Sequence, residues 1–290
     1  MELDFEASKL RSVGQVGSLH IGALDIAYWL VKKSDQAIVF VHGNSAGKEV
    51  FYEQFNALAE TDYTLLSIDL PGHGSSSNSA EPADDYNFCA FSRLIGDMLD
   101  ALGIRQPLMV GWSLGGHVVI EMAGSGIDLA GAMIFGTPPL GPGPGADVQK
   151  AFIESKAMAV TLNPNPSDED LQCYIEGLYG TLENRPSVFD ALAKRMDGAV
   201  RAHIGKHWYS GEEGHDQRTV VDTWAKPLAM LHGDKDVFAS GSYLETLTFA
   251  NLWRGSIQHV PHAGHAPFLE SPDLFNQSLE DFAQDVFSSG

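Results

Sequence analysis

The chain has 290 residues, 44% of them hydrophobic, and can therefore bury a large core in one domain or in one domain with an insertion. Its 18 basic and 38 acidic residues give a formal net charge of -20. This charge argues against nucleic acid or an anionic membrane as partner, because both bind clustered lysine and arginine. The two cysteines, Cys89 and Cys173, are too few for a disulfide scaffold or a thiolate metal site. Residues 1–6 lack the apolar core of a signal peptide, and no stretch is long enough to span a membrane, so we expect a cytoplasmic protein with free thiols.

Strand-like and helix-like segments alternate along most of the chain. Short apolar, β-rich runs predict strands, and apolar residues at helical spacing predict helices. The predicted strands are 19–21, 24–31, 37–41, 63–68, 107–110, 130–135, 228–232 and 256–260, and the predicted helices are 49–60, 88–102, 118–123, 242–249 and 273–287. The serine-rich residues 75–85 predict a surface loop, and Gly103 predicts a helix C-cap. This alternation is typical of an open, mostly parallel α/β sheet that begins with antiparallel strands.

The alternation stops after Gly136. Residues 138–145 form a linker rich in proline and glycine, and the segments that follow are helix-like without a strand pattern. We interpret 140–222 as a helical cap inserted over the sheet, so that 1–139 and 223–290 make up the core. The insertion holds more apolar residues than a connector needs, and we expect some to face the core and others to line a pocket.

The stretch Gly111-Trp112-Ser113-Leu114-Gly115 lies between a predicted strand and a predicted helix. This is the context that a nucleophile elbow requires, with the serine on a sharp turn and glycines that permit close packing. The motif alone is a weak indication in a chain with 30 glycines. The prediction that Ser113 is a nucleophile therefore depends on whether a base and an acid are available beside it.

Candidates for both partners follow later strands of the predicted sheet. Asp234 and Asp236 come directly after one strand, and His262 and His265 after the next, so that the chain order is serine, acid, histidine. Open sheets place their sites at the carboxyl ends of strands. We predict His265 as the base, with His262 as the alternative. We predict Asp236 as the acid, because its two extra residues let the loop turn back, whereas Asp234 is expected to cap the turn.

A tetrahedral intermediate needs two preorganised hydrogen-bond donors for its oxyanion. The sequence predicts the backbone N–H of Leu114, after the nucleophile, and that of Asn44, in the loop after the strand 37–41. Gly43 allows the backbone to approach the substrate, and the side chains of Trp112 and Asn44 are expected to line the pocket.

Metal catalysis is the rival chemistry, since His259, His262 and His265 are spaced three residues apart. Pro261 and Gly264 interrupt any helix that would bring these histidines onto one face, and no known zinc motif is present. We therefore expect no metal and no other cofactor.

The chain resembles the α/β-hydrolase superfamily over essentially its whole length. The shared motifs are His42-Gly43, Asp69-x-Pro71-Gly72-x-Gly74, Gly111-x-Ser113-x-Gly115 and Gly264-His265 with Glu270-x-Pro272. The resemblance implies a mostly parallel eight-stranded sheet flanked by helices, with an inserted helical cap.

Within that superfamily the chain is similar to the serine-dependent N-acylhomoserine lactone lactonases, which inactivate bacterial quorum signals. The shared stretches are His42-Gly43-Asn44-Ser45, Asp69 to Gly74, Gly111 to His117, Gly136-Thr137-Pro138-Pro139, Asn251-Leu252-Trp253 and Ala263 to Phe268. In that group a cap tyrosine helps hold the lactone, and Tyr174 matches its position. One lactonase of this group has glutamate where this chain has Asp236. The difference bears on the substrate and leaves the predicted triad of Ser113, Asp236 and His265 intact.

The resemblance implies a hydrolase that opens small acyl lactones through an acyl-enzyme, without cofactors. A carboxylesterase that acts on acyclic esters would carry the same catalytic residues and differ only in its pocket. A third alternative is a ligand receptor that keeps the fold with little turnover, which an intact triad with both oxyanion donors disfavours. The sequence leaves the oligomeric state and the acyl-chain preference open.

Overall fold

The computed structural model describes residues 15–141, 147–180, 182, 184–210 and 214–288. Its strands are β1 Gln15–Ile21, β2 Leu24–Val31, β3 Ala37–Val41, β4 Thr64–Ile68, β5 Leu108–Trp112, β6 Gly131–Phe135, β7 Leu228–Gly233 and β8 Gln258–Val260. The α-helices are α1 Tyr52–Ala57, α2 Pro82–Asp85, α3 Phe88–Leu102, α4 Leu114–Gly124, α5 Val148–Ala151, α6 Lys156–Val160, α7 Asp168–Tyr179, α8 Ser187–Arg195, α9 Gly198–Ser210, α10 Gln217–Thr223, α11 Gly241–Leu244, α12 Pro267–Glu270 and α13 Pro272–Ser288.

The eight strands form one sheet in the order β1-β2-β4-β3-β5-β6-β7-β8. The pairs β1/β2 and β2/β4 are antiparallel, and every later pair is parallel. This topology confirms the predicted mostly parallel eight-stranded sheet. The parallel strands end at one edge, which is where the predicted site residues of β3, β5, β7 and β8 follow their strands.

Helices cover both faces of the sheet, which explains the continuous apolar runs in the sequence. Every residue of β3 to β7 is buried. Successive side chains of a strand point to opposite faces: Ile38 and Phe40 join the core beneath α1 and α13, whereas Val39 and Val41 join the core beneath α3 and α4. The apolar residues of the longest helices dock on these two cores.

Both ends of helix α3 are fixed by capping residues. The Asn87 side chain accepts a hydrogen bond from the backbone N–H of Ala90 at the N-terminus, as N-cap residues do. At the C-terminus Gly103 adopts the left-handed conformation with φ 68° and confirms the predicted cap.

Several predicted element bounds are wrong. The predicted helix 49–60 is a 3₁₀ turn at Lys48–Phe51 followed by the short α1, because the side chain of Asp69 binds the backbone and ammonium of Lys48 and tightens the first turn. The predicted helix 242–249 is only α11, because the N–H groups of Thr246 and Leu247 bind carbonyls three residues earlier, those of Tyr243 and Leu244, and the α-helical bonding pattern stops there. The predicted loop 75–85 contains the turn α2, and β8 begins at Gln258.

The chain between β6 and β7 forms six helices, α5 to α10, and the described residues there contain no strand. Helices α7 and α8 add apolar side chains to the core beneath α1 and α13, and α10 packs on α4. Much of the predicted Pro/Gly linker lies at 142–146, outside the described residues, as do the N-terminal residues 1–6. The cap bounds of 140 and 222 stay a prediction. In the described ranges no helix is long and apolar enough to cross a membrane.

Candidate active site

Ser113 occupies a strained turn between β5 and α4. Its backbone has φ 53° and ψ -116°, a conformation that costs a residue with a side chain on the order of 1–3 kcal/mol. The Ser113 N–H donates to the carbonyl of Phe135 at 2.9 Å and helps hold this conformation. A Cβ on Gly115 would lie 2.1 Å from the carbonyl oxygen of Val41, so only glycine fits there. The turn therefore has the geometry of a nucleophile elbow.

His265 and Asp236 form a buried pair. Nδ1 of His265 lies 2.9 Å from Oδ2 and 3.0 Å from Oδ1 of Asp236, and the two residues are 2% and 8% exposed. Oδ1 also accepts hydrogen bonds from the backbone N–H groups of Phe238 and Ala239. Burial alone would raise the pKa of Asp236, but His265 and these hydrogen bonds outweigh it and lower the pKa. An ionised Asp236 keeps the proton on Nδ1 of His265 and leaves Nε2 free to accept one.

The imidazole of His265 lies beside the elbow. The indole N–H of Trp112, directly before Ser113, donates to the carbonyl of His265 at 2.8 Å. A Cβ on Gly136, where φ is 62°, would lie 2.8 Å from Cε1 of His265. Gly136 follows Phe135, whose carbonyl accepts from the Ser113 N–H, so the ring and the backbone of the elbow both lie at the end of β6. The ring of Phe238, 4.7 Å away, packs on the imidazole.

Asp234 and His262, the alternatives for the acid and the base, lie outside the His265–Asp236 pair. Asp234 pairs with Nδ1 of His259 at 2.8 Å, and Nε2 of His259 lies 3.2 Å from a carboxylate oxygen of Glu245. The expected role of Asp234 as a cap of its own turn is therefore wrong. His262 is exposed in the turn after β8, with φ 65°. Among the described residues no three His, Cys, Asp or Glu side chains converge in a way that could hold a metal ion.

Both predicted oxyanion donors lie close to Ser113. Leu114 is the first residue of α4, where a backbone N–H has no acceptor within the helix. A Cβ on Gly43 would lie 3.2 Å from Cβ of Ser113, so the loop that contains Asn44 lies against the nucleophile. The structure thus brings the residues after β3 and after β5 to one point, as the sequence predicts.

Tyr174 from α7 reaches the same loop. Its hydroxyl donates to the backbone carbonyl of Asn44 at 3.2 Å, and burial raises the pKa of Tyr174 to about 12. Trp112 is completely buried and contacts the ring of Tyr179 from α7. Direct substrate contact by Gly43, Trp112 and Tyr174 stays a prediction.

Two supporting residues have roles that the motifs did not reveal. His42 donates from Nδ1 to the carbonyl of Gly43 and accepts at Nε2 from the N–H of Leu70, which ties the loops after β3 and β4 together. Burial lowers the pKa of His42 and keeps it neutral, as this pair of bonds requires. The Glu270 carboxylate accepts from the N–H groups of Gly264 and Ala266 and so holds the backbone on both sides of His265. The motif Gly264-His265 with Glu270 indicates that Glu270 belongs to the site but not that it binds these backbone N–H groups.

The fold and the site together define a hydrolase with a nucleophile elbow, and the chain belongs to the alpha/beta hydrolase family, whose model matches residues 38–278. Among solved structures, the N-acyl homoserine lactonase AidH complexed with N-butanoyl homoserine is 29% identical with a TM-score of 0.88 and covers 94% of this chain and 97% of its own. A putative aryl esterase from Burkholderia cenocepacia shares the fold at 20% identity and a TM-score of 0.75, over 94% of this chain and 100% of its own. The pimeloyl-[acyl-carrier protein] methyl ester esterase of Nitrosomonas europaea is 24% identical over 82% of this chain and 92% of its own.

Proposed function

We propose that the chain hydrolyses carboxylic esters through an acyl-enzyme on Ser113 and that its substrates are N-acylhomoserine lactones. The observation that carries the proposal is the buried His265–Asp236 pair, which lies beside a serine held in a strained elbow. The lactone preference is supported by the similarity to AidH, which extends over 94% of the chain. The reaction needs no cofactor.

In the proposed reaction the Ser113 oxygen attacks the ester carbonyl carbon while Nε2 of His265 accepts the hydroxyl proton. The N–H groups of Asn44 and Leu114 meet the negative charge that develops on the carbonyl oxygen. His265 then returns the proton to the departing alkoxide, which in a lactone stays tethered to the acyl group. A water molecule, deprotonated by His265, cleaves the acyl-enzyme and releases the ring-opened acid.

A general carboxylesterase is the second candidate, favoured by the esterases that share this fold. The two candidates share the chemistry at Ser113 and differ in the group that leaves. An acyclic ester releases its alcohol when the acyl-enzyme forms, whereas in a lactone the alcohol stays attached to the acyl group. The two activities are therefore distinguished by which substrates are hydrolysed, since both require the same elbow.

The deciding experiment compares N-hexanoyl homoserine lactone with p-nitrophenyl butyrate, using wild type, Ser113→Ala and Ser125→Ala. Ser125 is an exposed serine just after the other end of α4 and serves as the matched control. We expect wild type and Ser125→Ala to raise the lactone mass by one water, with no inhibition by chelators, and Ser113→Ala to lose at least about 10³-fold in kcat while staying folded. Turnover of the ester alone would establish the carboxylesterase, and normal turnover by Ser113→Ala would contradict the mechanism.

A further inference from the structure

Arg201 on α9 is a buried cation without a carboxylate partner in the part of the chain that the structure describes. It is 3% exposed, and its Nη2 donates to the Ser45 hydroxyl at 2.9 Å and to the carbonyl of Ala193 at 3.4 Å. Its Nε is buried with no hydrogen-bond partner. Burying an unpaired charge is costly, so a neutral side chain would be the more stable choice at this position. The residues that Arg201 contacts, close to Asn44, suggest why a cation is present at this position.

Ser45, the acceptor of that hydrogen bond, follows Asn44 directly and is itself strained. Its φ is 63°, in the left-handed region that side chains other than glycine seldom adopt. Its hydroxyl contacts Oδ1 of Asn44 at 2.9 Å as well as Nη2 of Arg201. A guanidinium can only donate, so the Ser45 oxygen accepts from Arg201. The single Ser45 proton has two acceptors in reach, Oδ1 of Asn44 at 2.9 Å and Sδ of Met196 at 3.3 Å, and the amide oxygen is the stronger and nearer of the two.

The carbonyl of Thr161 can only accept, so it faces the NH₂ group of Asn44, and Oδ1 is turned toward Ser45. With Oδ1 held by Ser45, Nδ2 of Asn44 points to the carbonyl of Thr161, at the end of α6, and donates to it at 3.3 Å. The Tyr174 hydroxyl from α7 binds the backbone carbonyl of the same residue. Three helices of the segment between β6 and β7 therefore act on Asn44 or on its neighbour.

We propose that Arg201 is a positioning residue that fixes the segment Asn44-Ser45 through the Ser45 hydroxyl, so that the backbone N–H of Asn44 is in place as an oxyanion donor only when α9 packs against this segment. This inference rests on the proposed function, since it takes Asn44 as an oxyanion donor. Arg201 touches neither the nucleophile nor the base, and its influence passes through one hydroxyl. Removing either member of the Arg201–Ser45 pair should then have the same consequence as removing both.

The test is a double-mutant cycle with Arg201→Met, Ser45→Ala and the double variant, measured with the better substrate of wild type. We expect each single variant to lower kcat by about 10- to 100-fold with KM changed less than about 3-fold, because misplaced donors weaken only transition-state binding. The double variant should fall within about 2-fold of the worse single variant. Arg195→Met is the matched control. Arg195 on α8 also joins this segment to the core, through Asn78 and the carbonyl of Ser76, but it makes no hydrogen bond to Asn44 or Ser45.

A double variant that loses the product of the two single effects would overturn the inference, as would an equal loss in Arg195→Met. If Arg201→Met does not fold, Arg201→Lys takes its place in the cycle. Lysine keeps the charge but not the planar fork, and we expect its kcat to lie between those of wild type and Ser45→Ala. An Arg201→Lys variant slower than Ser45→Ala would count against transmission through the hydroxyl.

Failure of the proposed function is recognised separately, because wild type would then turn over neither ester nor lactone. In that case the readout is the ¹H–¹⁵N signal of the Asn44 side-chain amide. A shifted and faster-exchanging signal in Arg201→Met, with an unchanged signal in Arg195→Met, supports the positioning role. An unchanged Asn44 signal in Arg201→Met refutes it.

Discussion

Replacing Asp236 by asparagine tests how the acid controls the tautomer of His265. Oδ1 of Asp236 accepts from two backbone N–H groups, those of Phe238 at 2.8 Å and Ala239 at 3.0 Å. An asparagine must keep its oxygen at that place, so its NH₂ group takes the Oδ2 position, 2.9 Å from Nδ1 of His265. The retained amide oxygen also lies 3.0 Å from Nδ1, but it is neutral and already accepts two backbone N–H bonds. Because the NH₂ group and an Nδ1–H cannot face each other, we expect the imidazole proton to move to Nε2.

With its proton on Nε2, His265 can no longer accept one from Ser113. We expect Asp236→Asn to lower kcat by about 10³- to 10⁴-fold, the size of effect that a wrong tautomer has in another serine hydrolase. Asp236→Ala removes the carboxylate without placing a donor opposite Nδ1, so it should be faster than Asp236→Asn. Steady-state kinetics on p-nitrophenyl butyrate, with circular dichroism to check folding, measure both. An asparagine variant as fast as the alanine variant, or within about 10-fold of wild type, would refute the tautomer argument.

Two further predictions concern the surroundings of the site. Gly136→Ala places a Cβ 2.8 Å from Cε1 of His265, at a residue with φ 62°. We expect kcat to fall at least about 10-fold, measured as a slower acylation burst, while Tm falls by only a few degrees. An unchanged burst rate would count against the placement of the ring. Burial and the nearby Asp69 charge raise the pKa of Glu49 from 4.5 to about 7. Between these pH values the folded state binds more protons than the unfolded state, so the contribution of Glu49 to stability falls as pH rises. Glu49→Gln removes this titration, and its Tm relative to wild type should therefore rise between pH 4.5 and pH 8 in scanning calorimetry; a difference independent of pH would contradict the assignment.

The predictable part of the site consists of residues that directly follow strands. Ser113, Asp236 and His265 each come within a few residues of an apolar run, and turn-forming residues around them show where the sheet edge lies. In the sequence, Asp236 is favoured over Asp234 by loop reach and by the expected capping role of Asp234. The structure gives the physical basis of that choice: backbone N–H groups two and three residues on hold the Asp236 carboxylate, whereas Asp234 turns to His259.

The features that the sequence did not predict depend on contacts between distant positions. Arg201 binds a residue 156 positions earlier in the chain, and nothing in the composition of α9 marks it as different from a surface arginine. The 3₁₀ turn at Lys48–Phe51 depends likewise on Asp69, 21 positions away, whose buried carboxylate overrides the helical spacing of the local sequence. Local periodicity contains no information about such pairs.

The segment between β6 and β7 leaves and re-enters the sheet at neighbouring strands, where Phe135 pairs with Leu231. The whole segment can therefore be replaced, in evolution or by design, without a change in the register of the sheet. Such an exchange would not be free of consequences for turnover. On the proposed role of Arg201, an imported segment without counterparts of Arg201 and Tyr174 would leave Asn44 and Ser45 without these two hydrogen bonds. New substrate preference and full activity would then have to be transferred together.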